Sequence, residues 1–337
     1  MADILISSSD LRTDDVVLPT RAYIPPDKLR TLPLKPTTLC RKVIEIDRNW
    51  IGLWSGPYSC AHSFAVHLRD WFQDRPINHK TMSECLKIFA DQSQPDFSAI
   101  VASTIGDVCH TIGECHRGES PFAGKYVVAG SGSQIFLKMM TEMPVTEDQS
   151  PAGDLNGLRI ANDLLTLEIT TPEEMLNAFI GGSYEILVHR PSAFERVDDI
   201  MHFWALINVR DGRIEGVLYY SHALRQWYEN NQLCIASFSS PDAHEQGLAF
   251  RAFVAPSILE EPTDIVRSTT DLQTYPKYPC IHHFFHSGQK YAPTSMILQG
   301  GAIPQFFRIA LEAGEWRFDF NDNYIAILHS QAAELFR

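Results

Sequence analysis

The sequence lacks an excess of basic residues, a long apolar run and an even set of cysteines. It holds 41 acidic and 28 basic residues, a formal charge of −13, which disfavours nucleic acid and anionic membranes because both are bound through positive surfaces. Its apolar stretches are broken within about ten residues, well short of the roughly 20 that a spanning helix needs. Seven cysteines cannot all pair in disulfides. We therefore expect neither a nucleic-acid partner nor a membrane span.

The opening residues also lack the features of a secretory signal. No basic segment precedes the short apolar run at Ile4 to Ile6, and three serines follow it directly, unlike a cleavable signal peptide. We therefore expect a cytoplasmic protein whose thiols are reduced and mostly buried. Hydrophobic residues at 45% and charged residues at 20% are typical of a globular chain and exclude general disorder.

The first two thirds of the chain alternate strand and helix patterns. A hairpin is predicted around the polar turn Asp47-Arg48, followed by two helices, one capped by Ser59 and one by Thr81 with Glu84 as a capping box. Strand, glycine turn and helix follow near Gly130, a helix is predicted around Leu158 to Glu168, and another begins at Thr171. Strand character returns at Tyr184 to His189 and Ile200 to Val209.

Beyond residue 212 the pattern changes to short aromatic and β-branched runs, including Trp316 to Phe320 and Tyr324 to Leu328. Only Pro304 to Ala313 and the last residues are predicted to be helical, and residues 241–279 suggest a long excursion or lid. We therefore expect one domain over residues 1–212 and a β-rich C-terminal domain or extension over residues 213–337.

Four short motifs follow one another along the first domain. They are Ser8-Ser9-Asp10-Leu11-Arg12, the hairpin from Lys42-Val43-Ile44-Glu45-Ile46 to Trp54-Ser55-Gly56, Gly130-Ser131-Gly132-Ser133, and Gly181-Gly182-Ser183-Tyr184-Glu185. In this order they resemble the proteasome β-subunit-like branch of the N-terminal nucleophile (Ntn) hydrolases, over about residues 3–210. The resemblance implies an α+β fold, a four-layer αββα Ntn-hydrolase-like sandwich, followed here by the β-rich C-terminal region.

The resemblance also implies a site. Such enzymes use the free α-amine of a first-residue Thr, Ser or Cys as the base for its own side chain, whereas this sequence opens with Met1-Ala2. Asp10, Arg12 and Gly56 are the site candidates, with Gly56 implied to stabilise an oxyanion. The implied lysine falls near Thr38, where Lys35 and Lys42 are approximate substitutes.

We therefore expect a non-catalytic, proteasome-like protein with a structural, binding or assembly role. It is expected to be a homo-oligomer without a cofactor, with a peptide or small molecule as a candidate ligand. The alternative is an amide or peptide hydrolase of the Ntn type that uses an internal Ser or Thr, or one exposed by processing at Ser7, Ser8, Ser9 or Thr13.

A third hypothesis is a metal-dependent site. Its weak candidates are two Cys-His pairs and two histidines of a later strand: Cys109, His110, Cys115, His116, His282 and His286. Zinc accepts such ligands, but on a strand His282 and His286 share a face while His283 points away, so we predict no metal. The turn Gly130-Ser131-Gly132-Ser133 could cradle a ligand phosphate at a helix start, and we interpret it as a structural turn because it lacks the lysine of a P-loop.

Overall fold

A computed structural model describes most of the chain. The residues described are 4–13, 16–19, 38–93, 95–106, 108–120, 124–130, 132–142, 153–170, 184–239, 251–261, 275–298, 303–312 and 315–337. They form two compact units. The first comprises the described residues of Met1–Leu164, Thr171–Val197 and Ala255–Thr263, and the second those of Leu165–Thr170, Asp198–Val254 and Asp264–Arg337.

The first unit contains a sheet of five strands organised around β1 (Ile4–Thr13). The first half of β1 pairs with β10 (Tyr184–Arg190), and its second half pairs with β2 (Val16–Pro19) and β3 (Thr38–Arg41), all antiparallel. Strand β11 (Ala193–Arg196) extends the sheet beyond β10. One long strand thus brings residues near 10, 40 and 185 side by side.

A second sheet of the first unit is an antiparallel meander of four strands. Its members are β4 (Val43–Asp47), β5 (Trp50–Ser55), β6 (Ser98–Ser103) and β7 (Cys109–Ile112). A separate hairpin joins β8 (Cys115–Ser120) to β9 (Gly124–Ala129). The predicted hairpin at Asp47-Arg48 is confirmed, because Val43 pairs with Leu53 and Asp47 with Trp50.

Helices α1 (Tyr58–Phe72) and α2 (His79–Ala90) connect the two halves of the meander. Phe64 and Leu68 of α1 are buried with Met82 and Phe89 of α2, as their helical spacing predicts. Helices α3 (Ser133–Glu142) and α4 (Gly153–Thr170) follow β9. The helix predicted from Thr171 and the motif residues Gly181 to Ser183 lie outside the described residues.

Both predicted helix caps were wrong. Helix α1 begins after Pro57, without a side-chain cap, and Ser59 lies inside the helix. Helix α2 is capped by Asn78, whose side chain accepts hydrogen bonds from the backbone amides of Lys80 and Thr81, while the hydroxyl of Thr81 accepts one from the Asn78 amide. Thr81 therefore closes the capping box instead of starting it, because asparagine caps at least as well as threonine.

The second unit is built on a six-stranded sheet. In spatial order its strands are β15 (Arg251–Ala255), β14 (Gln232–Ser239), β13 (Arg213–Glu229), β12 (Ile200–Arg210), β16 (Tyr278–His286) and β17 (Tyr291–Ile297). Strands β12 and β16 are parallel, whereas β12–β13, β13–β14 and β16–β17 are antiparallel. The turn Asp211-Gly212, where the predicted domain boundary falls, joins β12 to β13 within this sheet.

The end of the chain corrects two sequence predictions. The predicted helix Pro304 to Ala313 is only a short α5 (Ile303–Phe306), followed by the hairpin β18 (Phe307–Glu312) and β19 (Glu315–Phe320). The predicted strand Tyr324 to Leu328 is instead part of α6 (Asp322–Leu335), capped by Asn321. Tyr324, Leu328 and Ala332 recur every four residues and are all buried, which is helical spacing that a five-residue window does not reveal.

Taken together, the described residues form a mixed α+β fold with several sheets. One face of the six-stranded sheet packs Phe203, Ile207, Ile281 and Phe285 with Leu328 of α6. In the part of the chain that the structure describes, no helix is both long and apolar enough to cross a membrane.

Candidate functional site

Strand β1 brings three of the four sequence motifs together in the first unit. Asp10 pairs with Cys40, two residues before Lys42, and Ser8 pairs with Tyr184 of the last motif. The side chains of Asp10 and Arg12 lie outside the part of the chain described in atomic detail, so their positions are known only along the strand. Both belong to the half of β1 that pairs with β3.

A buried ion pair joins β3 to β10, the strands that pair with the two halves of β1. The guanidinium Nε of Arg41 donates to Oε1 of Glu185 at 2.7 Å, and its Nη2 donates to Oε1 of Glu45 at 3.0 Å. Arg41 and Glu185 are fully buried, and Arg196 also contacts Glu45. A buried charge is strongly unfavourable without its partner. The two contacts of Arg41 therefore hold β3 against β10, through Glu185, and against β4, through Glu45.

Lys42 follows Arg41 and is partly buried. Burial lowers the pKa of its ammonium group to about 8, because desolvation disfavours the charged form. The Nζ atom lies 5.6 Å from the ring centroid of Trp54, and the Lys42 carbonyl accepts a hydrogen bond from the Trp54 amide at 3.2 Å. A lysine of this kind can exchange a proton near neutral pH.

Two glycines of the motifs occupy positions that a side chain could not. Gly56 has φ +114°, and a Cβ there would lie 2.4 Å from the carbonyl oxygen of Asp96. Gly130 has φ +94°, and a Cβ there would lie 2.3 Å from Oγ of Ser55. Gly130 therefore packs directly on Ser55, which ends β5 and immediately precedes Gly56.

The other residues of the glycine turn mainly start α3. The Ser133 amide donates to the Gly130 carbonyl at 3.0 Å, and the Phe136 amide donates to the Gly132 carbonyl at 3.0 Å. Ser133 is buried, while Ser131 lies outside the described residues. These contacts support the structural interpretation of the turn.

The two Cys-His pairs lie on successive strands, the first on β7 and the second on β8, and their histidines contact different residues. On β7, Nε2 of His110 lies 3.5 Å from Nδ1 of His79, and its ring stacks on Trp50. On β8, Nε2 of His116 lies 3.6 Å from Glu114. Burial raises the pKa of the Cys109 and Cys115 thiols, which disfavours the thiolate that a metal would bind.

No metal centre is found within the described ranges, since they hold no group of three or more His, Cys, Asp or Glu side chains close enough to bind an ion. His286 is partly exposed, and its ring lies 4.9 Å from that of Tyr291. His282 is buried and contacts His202 instead. As alternation on a strand predicts, His283 lies on the opposite face, against Tyr324.

Sequence reasoning missed Arg41, which carries the ion pair at the centre of this site. Its one signal is a charged residue at the end of the short strand Thr38–Arg41, next to Leu39 and Cys40. The partner is 144 residues away, so only the strand pairing could reveal it. Comparison with known proteins adds no relative, because no protein-family model matches the chain and no curated protein shows significant similarity to it.

Proposed function

We propose that the first unit is a proteasome-like domain of the Ntn-hydrolase type, with the αββα layering of that class, and that it acts as a binding and self-assembly module without hydrolysis. The observation that carries this proposal is the convergence of the four motifs. They are dispersed between residues 8 and 185, yet strand pairing and side-chain packing bring the described parts of all four together.

Two contacts bring the motifs together. The Arg41–Glu185 ion pair connects the residue before the second motif with the last residue of the fourth, and the strands of both residues pair with the strand that carries the first. The Gly130–Ser55 contact connects the third motif with the second. Common turn and strand signals that occurred by chance would have no reason to meet in this way.

The lack of hydrolysis is supported by what the described groups do. Arg41 is committed to a buried ion pair, Gly56 packs on the backbone of Asp96 and Phe97, and the Lys42 ammonium lies over Trp54. These are contacts that hold strands and a helix start in place. Ligand binding or assembly would use this rigid arrangement without a covalent step.

Self-assembly is supported by exposed apolar side chains near α2. The side chain of Ile88, on α2, is 41% exposed, and that of Ile105, in the β6–β7 connection, is 50% exposed. The carbonyl oxygen of Ile105 lies 2.7 Å from Nε2 of His79, the first residue of α2. We infer that these two side chains contribute to a contact with another protein. Because this class packs its subunits through helices and sheet edges, we propose a second copy of the chain as the partner.

The test combines light scattering with a covalent probe. We expect the purified full chain to have the mass of an oligomer, and Ile88→Asp to shift it toward the monomer while Lys87→Asp, a matched exposed position on α2, does not. We also expect no β-lactone adduct on any peptide of the first unit, because a β-lactone acylates N-terminal nucleophiles. A monomeric wild-type chain would contradict the assembly role, and a stoichiometric β-lactone adduct located in the first unit by peptide mass spectrometry would contradict the absence of hydrolysis there.

The second candidate is an amide hydrolase of the Ntn type, and the lowered pKa of Lys42 favours it. In its neutral form, such a lysine could accept the proton that a neighbouring nucleophile releases. In that case the β-lactone adduct forms, and Lys42→Met abolishes it, whereas Lys87→Met, which removes an exposed ammonium of α2, leaves it unchanged.

A further inference from the structure

A cluster of hydroxyl and imidazole groups lies in the second unit, separate from the site described above. It consists of Ser295 on β17, His282 on β16, His202 on β12 and Thr166 on α4, and we call it the Ser295 cluster. His282 and Ser295 are directly opposite on paired strands, and Trp204 is opposite His282 on the parallel strand. Their side chains therefore share one face of the sheet.

The cluster forms a continuous chain of hydrogen-bonding distances. Oγ of Ser295 lies 3.0 Å from Nδ1 of His282, and Nε2 of His282 lies 3.1 Å from Nδ1 of His202. Oγ1 of Thr166 lies 3.1 Å from Oγ of Ser295 and 3.4 Å from Nδ1 of His282. A nucleophile, a base and a group that orients the base follow one another in this order.

Burial keeps the two imidazoles neutral. It lowers the pKa of His282 well below its usual value and that of His202 to about 3. One pair of tautomers then satisfies the three shortest contacts. The Ser295 hydroxyl donates to Nδ1 of His282, Nε2–H of His282 donates to Nδ1 of His202, and the Thr166 hydroxyl donates to Ser295. In this state Nδ1 of His282 is free of a proton and faces the serine.

The ring of His282 is also held in orientation. Its plane lies within 15° of that of the Trp204 indole at a centroid distance of 5.3 Å, and within 27° of that of the His202 ring to which it is hydrogen-bonded. His282, His202 and Trp204 are buried, whereas Ser295 is only partly buried on a strand at the edge of the sheet. A fixed base behind a more accessible hydroxyl is the arrangement that nucleophilic catalysis requires.

We propose that Ser295 is the nucleophile of an acyl-transfer site for esters or similarly activated acyl compounds, with His282 as its general base and His202 as the residue that positions His282. Oγ of Ser295 forms a bond to the acyl carbon as its proton moves to Nδ1 of His282. The bond to the leaving group breaks, and the leaving oxygen takes that proton. Water then attacks the acyl-serine through the same base and releases the acid.

The first experiment labels the folded full chain with a fluorophosphonate, which forms an Oγ–P bond to an activated serine and releases fluoride. We expect one adduct per chain, located on Ser295 by peptide mass spectrometry and absent in unfolded protein. Ser287, a partly buried serine in the β16–β17 turn, is the internal control and remains unlabelled. No adduct in folded protein, or an adduct on Thr166 or Ser287 instead, would overturn the assignment.

The second experiment measures hydrolysis of p-nitrophenyl acetate by variants whose folding is checked by circular dichroism. We expect Ser295→Ala to abolish the activity and Ser287→Ala, in the β16–β17 turn outside the cluster, to leave it unchanged. His202→Ala should lower kcat roughly 100-fold, while His202→Asn, which keeps an acceptor for Nε2–H of His282, should recover much of the loss. Equal losses for His202→Ala and His202→Asn would overturn the positioning role, and full activity of Ser295→Ala would overturn the proposal.

This inference does not depend on the function proposed for the first unit. The fluorophosphonate adduct is located by its peptide, whereas assembly is read from the mass of the unlabelled chain. Either proposal can therefore fail while the other holds.

Discussion

Nε2 of His283 lies 2.7 Å from the phenolic oxygen of Tyr324, and both side chains are buried on the face of the sheet that α6 covers. This contact is a polar link within an otherwise apolar interface, which includes Ile281, Phe285 and Leu328. Burial lowers the pKa of His283 to about 3 and raises that of Tyr324 well above its usual value. Both groups are therefore neutral, and the hydrogen bond joins an uncharged donor and acceptor.

Tyr324→Phe is expected to destabilise the second unit. The variant removes the hydroxyl and leaves the buried Nε2 of His283 without this partner, so we expect the free energy of unfolding to fall by about 1–3 kcal/mol. Urea unfolding followed by tryptophan fluorescence measures the change. Tyr291→Phe, which removes a hydroxyl from an exposed residue of β17, is the control, and a loss as large in this variant would contradict the interpretation.

The buried histidines predict a loss of stability in acid. His202 and His283 have a pKa of about 3 when folded against 6.5 when exposed, so between these values the unfolded chain binds more protons. The contribution of these histidines to the free energy of unfolding is therefore fully present above pH 6.5. It is lost as the pH falls toward 3, by about 1.4 kcal/mol per pH unit for each histidine.

Unfolding free energies at pH 7 and pH 5 test this expectation. His283→Gln should reduce the difference between the two pH values, because one titrating group has been removed. Ser330→Gln, at an exposed position of α6, should leave the difference unchanged, because no titrating group is altered. An equal pH dependence in wild type and His283→Gln would show that this histidine is not responsible.

The two motif glycines are expected to tolerate no side chain. Gly56→Ala and Gly130→Ala each combine a positive φ with a Cβ closer than 2.5 Å to a fixed or packed atom, so each should cost at least about 2 kcal/mol of stability in the first unit. Gly216→Ala, where a Cβ meets nothing within 4 Å, should be neutral or stabilising. Thermal melts of the three variants make the comparison, and a Gly130→Ala melt equal to that of Gly216→Ala would contradict the packing on Ser55.

The Arg41–Glu185 pair is expected to be strongly coupled. Arg41→Met alone leaves the Glu185 carboxylate buried without this guanidinium, and a cost of about 3–5 kcal/mol is expected. Arg41→Met combined with Glu185→Leu should recover much of that loss because no charge is left in the interior. A double-mutant cycle measured by chemical unfolding gives the coupling, and additive losses would argue against a direct interaction.

Turn residues and helical spacing predicted the helices and strands near the site of the first unit. Which side chains meet in that site was determined by long-range strand pairing. The hairpin around Asp47-Arg48, α1, α2 and the strand-turn-helix at Gly130 follow from turn residues and helical spacing within single windows. Tyr324 and Leu328 were misassigned because five apolar residues fit a strand and a helix equally well. The Pro304 to Ala313 segment was misassigned because its apolar residues fit a helix as well as a strand, whereas in the structure most of them pair with β19 in a hairpin.

The functional groups were harder to predict than the fold. Arg41 and Glu185 meet only because both β3 and β10 pair with β1. Thr166, His202, His282 and Ser295 are separated by 13 to 129 residues along the chain, and they meet through a parallel pairing, a hairpin and the end of a helix. Of the 13 histidines, the sequence singled out His282 only as a weak metal candidate, and it gave no signal for His202 or for the contact between the two.

The mass of the intact chain in solution, measured by multi-angle light scattering, tests the central claim most directly. The account predicts an oligomer that Ile88→Asp shifts toward the monomer and Lys87→Asp leaves intact. A wild-type chain that stays monomeric across the accessible concentration range would contradict the assembly role assigned to the first unit.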